Sequence, residues 1–297
     1  MTDARTMTES LGGDWFRSYG TAPCPVCQQA GRKEQNALTL ADGDNGRLMA
    51  NCKKSDCAFR DIMVMAGLRG VAYRAPDPAT IARREAERRA DAQRRAGQAE
   101  RIWQEAQPIA GTAAEAYLRA RGITCALPHT LRFHPACWHG PTAQRFPAMV
   151  AAVAAVEGDS FAVHRTYLRP DGSGKAGLEG GDKLMLGSTA GGAVRLTDGP
   201  GRLVVAEGIE SGLSLACGLL DGPATIWAGL STSGLRGLHL LARLGRLTIA
   251  CDGDTPGRAA AHALAERASA LGWQVDICDP GDGADFNDIL TGKAVAA

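Results

Sequence analysis

The sequence lacks any uninterrupted run of about 18 apolar residues, the length that a membrane-spanning helix needs. Its first residues are polar, so we expect no secretory signal and no association with a membrane. An excess of charge of one sign is also missing, since 33 basic and 32 acidic residues give a net charge of +1. The chain of 297 residues is 45% hydrophobic and 22% charged, which predicts a folded cytoplasmic protein of two or three domains.

Several catalytic motifs are absent as well. The P-loop motif G-x-x-x-x-G-K-[ST] does not occur, and the partial match Gly174-Lys175 is followed by Ala176. Neither G-x-G-x-x-G at the end of a strand, nor G-x-S-x-G, nor H-E-x-x-H is present. These absences argue against nucleotide hydrolysis through a P-loop, dinucleotide-dependent redox chemistry and serine hydrolysis.

Nine cysteines in a chain without a secretory signal favour thiols and metal ligands over disulfides. Four of them form two pairs in the N-terminal region: Cys24, Cys27, Cys52 and Cys57. Strands predicted at 37–40 and 47–51 would form a hairpin with both pairs at its open end, and a short helix is predicted at 59–67. Four thiolates on two loops are a typical ligand set for structural Zn²⁺, with unrelated buried thiols as the alternative. The other five cysteines are expected to be small core residues.

The predicted fold is α/β and has four segments. These are a small β zinc-binding domain of the zinc-ribbon type at 1–73, a helical linker at 74–107, a mixed α+β middle domain at 108–200 and an α/β domain at 201–297. The arginines of the linker are expected on a solvated face with i,i+4 ion pairs, with contacts to nucleic-acid phosphates as the alternative. In the last segment, short apolar strands alternate with helices, one of them an amphipathic helix at 209–220. This alternation predicts a Rossmann-like parallel sheet with helices on both faces.

Acidic residues follow three strands of the predicted parallel sheet. Glu207 comes just after the first strand, and Asp252 and Asp254 come just after the third. Asp285 and Asp288 follow the fourth strand. Ligands of open parallel sheets bind beyond the carboxyl ends of the strands, where such carboxylates would repel one another without a hard divalent cation. The pattern therefore predicts a Mg²⁺ site, with helix caps and turns as the alternative role of these residues.

These motifs resemble a known family. Val-Val-Ala-Glu-Gly-Ile-Glu-Ser at 204–211, Asp-Gly-Asp at 252–254 and Asp-Phe-Asn-Asp at 285–288 resemble the Toprim domain of DnaG-type primases, topoisomerases and related nucleases. The cysteine unit resembles the zinc-binding domain of bacterial, phage and plasmid primases. Parts of the middle domain are similar to the region before Toprim in primases of phages and mobile elements: 116–118, 121–123, 164–168 and 183–187. The order of these parts is that of DnaG-type primases.

The resemblance implies a stand-alone DNA primase that synthesises short primers on single-stranded DNA from NTPs, beside a separately encoded replicative helicase. It implies catalytic roles for Glu207, Asp252 and Asp254, which would hold Mg²⁺ or Mn²⁺ together with Asp285 and Asp288, and structural Zn²⁺ on the four cysteines. Candidates for contacts to the triphosphate or to template phosphates are Arg165, Lys175 and Lys183. Candidates for template contacts in the zinc-binding domain are Arg32, Lys33, Lys53 and Lys54.

Two other classes of function stay open. A Toprim nuclease would use the same metal ions to cleave phosphodiesters, and a non-catalytic single-strand-binding protein would serve replication without chemistry. Topoisomerases need a tyrosine nucleophile on further large domains, for which 297 residues leave no room.

Overall fold

The computed structural model describes residues 3–16, 18–28, 36–43, 47–67, 78–154, 161–240 and 245–293. The chain divides into two compact units, Met1–Asp91 and Ala92–Ala297, and the division falls within the segment 74–107 that was predicted as a linker. None of the helices in the described ranges is long and apolar enough to cross a membrane.

The first unit is built on an antiparallel sheet with the strand order β1-β2-β3-β4. Its elements are α1 (Ala4–Ser10), β1 (Asp14–Trp15), β2 (Tyr19–Ala22), β3 (Leu38–Asp42), β4 (Leu48–Cys52) and α2 (Phe59–Met65). Strands β3 and β4 pair from Leu38 with Cys52 to Asp42 with Leu48, which confirms the predicted hairpin. The largest side chains buried in this unit are Met7, Leu38, Leu40 and Ile62.

A long helix, α3 (Pro78–Glu105), follows the first unit's sheet in the chain. Its proline start suits the first position of a helix, where a backbone N–H would have no partner. Arg89 pairs with Glu85 four residues earlier, as predicted for a solvated face. Arg84 differs, because its guanidinium makes an ion pair with the nearly buried carboxylate of Asp42. One arginine of the linker therefore holds the helix to strand β3 instead of facing solvent.

The middle of the chain forms an antiparallel sheet with the order β5-β6-β7-β8-β9. Its elements are β5 (Gln107–Pro108), α4 (Ala113–Ala120), β6 (Leu131–His139), β7 (Gln144–Val153), β8 (Ala162–Tyr167) and β9 (Lys183–Leu186). On one face, Val150 and Val163 pack with Ala99 of α3. On the other face, Met149 and Ala151 belong to the main hydrophobic core. The middle segment is thus α+β, as predicted.

The C-terminal part forms a second sheet with the order β10-β12-β11-β13-β14. Its elements are β10 (Val194–Thr197), β11 (Arg202–Ala206), α5 (Ile209–Ser214), β12 (Thr225–Ala228), α6 (Thr232–Gly237), β13 (Arg246–Ala250), α7 (Thr255–Ala270), β14 (Gln274–Cys278) and α8 (Phe286–Leu290). Strands β11 to β14 are parallel, which confirms the predicted sheet. Strand β10 comes from the predicted middle segment and adds an antiparallel edge next to β12.

The helix predicted at 209–220 is shorter than expected. Helix α5 ends at Ser214, and a π-helical turn, Leu215–Leu219, follows it. Gly218 has φ +107°, which lies outside the helical region and ends the regular structure. Every residue of α5 is buried, so the helix is a core helix and the prediction that it is amphipathic was wrong.

One hydrophobic core joins the middle sheet to the parallel sheet. It contains Leu118 and Met149 from the middle segment, and Val204, Leu213 and Phe286 from the C-terminal segment. Since both segments share this core within the second unit, their polar side chains can contribute to a single site.

Candidate functional site

The four cysteines of the first unit form a cluster. Their sulfur atoms all lie within 4.8 Å of one another, and Cys27 Sγ lies 3.5 Å from Cys52 Sγ. Zn–S bonds of about 2.3 Å in a tetrahedron place sulfur ligands about 3.8 Å apart, so the cluster has the size of a zinc site. In the part of the chain that the structure describes, this is the only group of three or more Cys, His, Asp or Glu side chains placed closely enough to share a metal ion as they stand.

The environment of these thiols suits a cation. Burial raises the pKa of Cys24, and burial together with the neighbouring thiols raises the pKa of Cys57 to about 12. For Cys52, burial is outweighed by hydrogen bonds from the backbone N–H groups of Ser55, Cys57 and Lys54, which lower the pKa to about 6. The cluster thus combines one thiol whose pKa is lowered with thiols whose pKa is raised, and a bound cation would displace the protons of the latter.

Glu207 comes directly after β11, at the carboxyl edge of the parallel sheet. The backbone N–H of Thr232, at the start of α6, favours its ionised form. Its Oε2 atom is buried and has no hydrogen-bond partner among the described residues. Burial and the charges of Asp252 and Asp254 raise the pKa of Glu207 to about 7. A buried carboxylate oxygen without a donor is the kind of ligand that a divalent cation prefers. In the described residues, however, the carboxylates of Glu207, Asp252 and Asp254 do not lie close enough together to share one ion as they stand.

Asp252 and Asp254 follow β13, the strand next to β11. Asp252 accepts a hydrogen bond from the Ser211 hydroxyl (Oγ to Oδ1, 3.4 Å), and burial with the charges of Asp285 and Asp254 raises its pKa to about 6. Asp254 is the N-cap of α7, where its Oδ1 accepts the backbone N–H of Gly257 at 2.7 Å. Asp254 thus has the capping role that the sequence left open, and this role engages one of its two carboxylate oxygens.

Asp285 and Asp288 form a capping box at the start of α8. Asp285 Oδ1 accepts the backbone N–H of Asp288 at 2.8 Å, and Asp288 Oδ2 accepts the backbone N–H of Asp285 at 3.3 Å. The sequence analysis assigned both residues to the metal site, with capping as the alternative. The structure shows the capping role, while the effect of Asp285 on the pKa of Asp252 places its charge beside the other carboxylates.

A backbone contact holds the loop at 252–254 against the loop at 281–284. Gly253 donates its N–H to the carbonyl of Ala284 at 2.8 Å and accepts from the N–H of Gly283 at 2.9 Å. A Cβ at position 253 would lie 1.7 Å from the carbonyl oxygen of Gly281, a separation that no real Cβ tolerates. Glycine is therefore required between the two aspartates for steric reasons.

A buried ion pair lies beside the carboxylates. Glu210, on the first turn of α5, is 5% exposed and accepts hydrogen bonds from Lys183 Nζ at 3.2 Å and from the Tyr117 hydroxyl at 2.8 Å. Burial raises its pKa, but Lys183, the backbone and Tyr117 together outweigh burial and hold the pKa at about 2. Lys183 also lowers the pKa of Glu207, so its charge reaches the predicted catalytic carboxylates.

Three further polar groups lie on the same side of the middle sheet. Burial and the charge of Lys183 lower the pKa of Lys175, which places the two predicted lysines near each other. Thr166 pairs with Lys183 across the sheet, and His164 lies two residues earlier on the same face. His164 Nδ1 and Thr166 Oγ1 are buried, and neither has a hydrogen-bond partner in the described ranges. Burial and Lys183 lower the pKa of His164 to about 4, so its imidazole is neutral at physiological pH.

Arg165 lies on the opposite face of this sheet. Its position in β8 alternates with His164 and Thr166, and it pairs with Leu184 rather than with Lys183. The guanidinium is largely buried and donates to the carbonyl of Trp138 at 3.1 Å and to the Tyr167 hydroxyl at 3.0 Å. The structure therefore separates Arg165 from the two lysines with which the sequence analysis grouped it.

The predicted template contacts of the first unit are described only in part. Lys53 and Lys54 are exposed and directly follow Cys52 of the cysteine cluster. Arg32 and Lys33 lie outside the described residues.

Sequence reasoning assigned no role to Glu210, Tyr117, His164 or Thr166. Glu210 had a usable signal, because it lies three residues after Glu207 and so on the first turn of a helix that starts beside it. The other three residues lie within segments 116–118 and 164–168, which resemble the region before Toprim, but that resemblance gave them no role. They reach the site through the pairing of β8 with β9 and the packing of α4.

Two family models match the chain. Residues 202–295 match the Toprim domain, and residues 93–196 match a domain of unknown function, DUF7146. No curated protein sequence matches the chain.

Solved structures of primases resemble the chain weakly. A DNA primase domain from Pseudomonas aeruginosa is 17% identical with a TM-score of 0.41, and the match covers 67% of this chain and 75% of that one. The Aquifex aeolicus primase (zinc-binding and RNA polymerase domains) is 11% identical with a TM-score of 0.41, over 98% and 83% of the two chains. The primase fragment of the bacteriophage T7 primase-helicase protein is 11% identical with a TM-score of 0.37, over 92% and 94%. Likenesses of this strength do not establish a shared activity.

The Toprim match spans β11 to α8, and therefore the strand ends that carry Glu207, Asp252 and Asp254. The parallel sheet predicted from the sequence is the sheet that the structure shows there. Residues 202–295 form a Toprim domain, and the chain combines it with an N-terminal four-cysteine cluster of zinc-site geometry.

Proposed function

We propose that this protein is a DNA primase, which joins NTPs into short primers on single-stranded DNA by metal-dependent nucleotidyl transfer. The observation that carries the proposal is the arrangement at the carboxyl edge of the Toprim sheet. Burial with the charges of Asp252 and Asp254 raises the pKa of Glu207 there, and burial with the charges of Asp285 and Asp254 raises that of Asp252. Lys183, with Lys175 near it, supplies positive charge from the neighbouring sheet and lowers both pKa values. Clustered carboxylates facing lysines suit phosphoryl transfer, which depends on positioning and on the neutralisation of charge.

The acidic residues and the lysines would have different tasks. Glu207, Asp252 and Asp254 would hold Mg²⁺ or Mn²⁺ through the carboxylate oxygens that do not cap helices. A divalent cation bound there would activate the primer 3′-hydroxyl and stabilise the leaving pyrophosphate. Lys183 and Lys175 would bind the triphosphate, and Glu210 would position the Lys183 ammonium through their ion pair.

The template would be held elsewhere on the chain. Arg165 lines a groove of about 590 Å³ between the C-terminal part of α3 and the outer face of the middle sheet. Trp138 and Arg145 also line it; Trp138 is 45% exposed, and the Arg145 guanidinium lies 5.8 Å from its ring. Aromatic rings and arginines together favour the bases and phosphates of a single strand. The exposed Trp138 and Arg145 are therefore the candidates of this groove for direct template contacts, whereas Arg165 is bonded within the protein and would add positive charge from beneath them. Lys53 and Lys54 are candidates for a similar role in the zinc-binding unit.

The test is incorporation of labelled NTPs on single-stranded DNA of mixed sequence, with Mg²⁺ or Mn²⁺, by the full-length zinc-loaded protein. We expect short labelled products that depend on the template and are lost in Asp252→Asn. The matched control is Asp276→Asn, which removes an exposed carboxylate of the same domain and should leave synthesis intact.

The same gel separates the alternatives. Shortened template without NTP-dependent product would identify a nuclease and overturn the proposal. Intact template without product, from a protein that binds single strands, would identify a binding protein. Equal synthesis by Asp252→Asn and wild type would show that the carboxylate edge is not the catalytic site.

A further inference from the structure

Two cysteines outside the zinc cluster meet at the junction of the middle segment and the Toprim domain. Cys217 lies in the π-helical turn after α5, and Cys125 lies in the loop between α4 and β6. The backbone N–H of Cys125 donates to Cys217 Sγ at 3.4 Å, and the Cys125 thiol donates to the carbonyl of Leu213 at 3.8 Å. Both side chains are partly exposed, so small solutes can reach the pair.

The backbone around Cys217 stabilises a negative charge on its sulfur. The N–H groups of Thr124 and Cys125 both point to Cys217 Sγ, at 3.3 and 3.4 Å. Burial raises the pKa of the Cys217 thiol, but these two N–H groups and the Cys125 thiol outweigh burial and lower it below its usual value. Burial and the neighbouring Cys217 raise the pKa of Cys125 to about 12. One sulfur is thus prepared as the nucleophile, while the other keeps its proton.

The other thiols of the second unit lack this arrangement. Burial raises the pKa of Cys137, of Cys251 and of Cys278, with Cys251 at about 11. Of the five cysteines outside the zinc cluster, all in described segments, Cys217 alone has a lowered pKa.

We propose that Cys217 and Cys125 form a peroxide-reactive pair that closes to a reversible disulfide between the middle segment and the Toprim domain. In the first step the Cys217 thiolate attacks one oxygen of hydrogen peroxide. The O–O bond breaks, a Cys217 sulfenic acid forms, and the leaving hydroxide takes a proton to become water. In the second step the Cys125 sulfur attacks the sulfenic sulfur, the S–O bond breaks, and water leaves with the Cys125 proton. Peroxide is reduced to two waters, and two thiols are oxidised to one disulfide.

The local backbone can accommodate the bond. Cys217 Sγ already lies 3.4 Å from the backbone nitrogen of Cys125, and the two sulfurs must approach to a bond length of about 2.05 Å. Cys217 precedes Gly218, whose φ of +107° lies outside the helical region, so the turn already departs from regular structure where it would move. The disulfide would tie the loop at 123–127 to the end of α5, the helix that carries Glu210 and Ser211.

Peptide mapping of the full-length zinc-loaded protein tests this assignment. The protein is exposed to hydrogen peroxide, alkylated and digested with trypsin without reduction. Trypsin releases residues 122–132 and 203–236, each with a single cysteine, so the disulfide appears as one linked pair lighter by two hydrogens than its parts. We expect this pair after peroxide treatment, its loss on reduction with dithiothreitol, and its absence in Cys217→Ser and in Cys125→Ser.

Trapping of the intermediate separates the roles of the two residues. In Cys125→Ser, dimedone should label Cys217, because its sulfenic acid has no partner thiol. Cys278→Ser is the matched control and should form the linked pair as wild type does. The proposal fails if Cys217 remains fully alkylatable after peroxide has oxidised free glutathione in the same tube. It fails equally if Cys217 links to another cysteine in the folded protein.

Discussion

Removal of the Lys183 ammonium should destabilise the second unit strongly. Glu210 is 5% exposed and stays ionised because Lys183 lies 3.2 Å away, with Tyr117 as its other side-chain partner. Loss of one partner of a buried ion pair costs about 3–5 kcal/mol, since the remaining charge is left uncompensated. The Lys183 side chain is 39% exposed, so water reaches the pair and the lower end of that range applies. For a domain of this size, about 3 kcal/mol corresponds to a decrease of about 6–12 °C in Tm.

The assay is thermal unfolding of wild type, Lys183→Met, Glu210→Gln and the double variant at pH 7.5. The double variant should have a Tm closer to that of wild type than Lys183→Met has, because it removes the carboxylate charge that Lys183→Met leaves buried and unpaired. In wild type the folded pKa of Glu210 is about 2, below its usual 4.5, so this stabilisation is present above pH 4.5 and is lost as the pH falls through 2. The difference in Tm between wild type and Lys183→Met should therefore shrink as the pH falls towards 4.5, because Glu210 becomes protonated in the variant. A Tm within 2 °C of wild type, or a double variant no more stable than Lys183→Met, would refute the reasoning.

Three more predictions concern the loops and the metal sites. Gly253→Ala should abolish synthesis and lower Tm, because its Cβ would lie 1.7 Å from the carbonyl oxygen of Gly281; Gly237→Ala, with open space around it, should behave as wild type. Purified protein should contain about one zinc ion per chain, and its chelation should remove the far-ultraviolet circular dichroism of the first unit while the Toprim domain still unfolds cooperatively. Glu207→Gln should raise the free energy of unfolding of the Mg²⁺-free protein at pH 8 by about 1 kcal/mol, a figure reduced for solvent screening because the side chain is only partly buried. The folded pKa of Glu207, about 7, exceeds its usual value of 4.5. Protonation of Glu207 therefore stabilises the wild type fully below pH 4.5, and this stabilisation is lost as the pH rises through 7. Thermal unfolding should show that the Tm advantage of Glu207→Gln over wild type grows between pH 4.5 and pH 7.

Local patterns in the sequence were enough to predict the positions of the main elements. The hairpin at the cysteine pairs and the parallel strands before Glu207 and Asp252 occur where alternation and apolar runs predicted them. Such patterns succeed because each strand is defined by residues close together in the chain. The prediction of one helix over 209–220 was too long for a local reason too, because Gly218 takes a positive φ and helical structure cannot continue past it.

The capping roles show where reasoning from residue types stops. Aspartate after a strand suits both a metal ligand and the N-cap of a following helix, so the sequence alone left both open for Asp254 and Asp285. The structure shows that each caps a helix and that their charges still raise the pKa of Asp252. Only the distances between separate loops distinguish a shared site from a set of unrelated caps.

The sequence by itself determined which residues lie at the ends of the Toprim strands and which cysteines can share a zinc ion, because spacing along the chain is sufficient for both. Tertiary structure alone decided which side of the middle sheet each basic residue faces. The register of β8 against β9 places Lys183 with Thr166 and turns Arg165 to the opposite face. The tertiary structure also brings Glu210 close to Lys183 and Cys125 close to Cys217, although these pairs are 27 and 92 positions apart in the chain. A sheet alternates its side chains with a period of two, so a single step of register decides the side, and no composition or motif encodes that step.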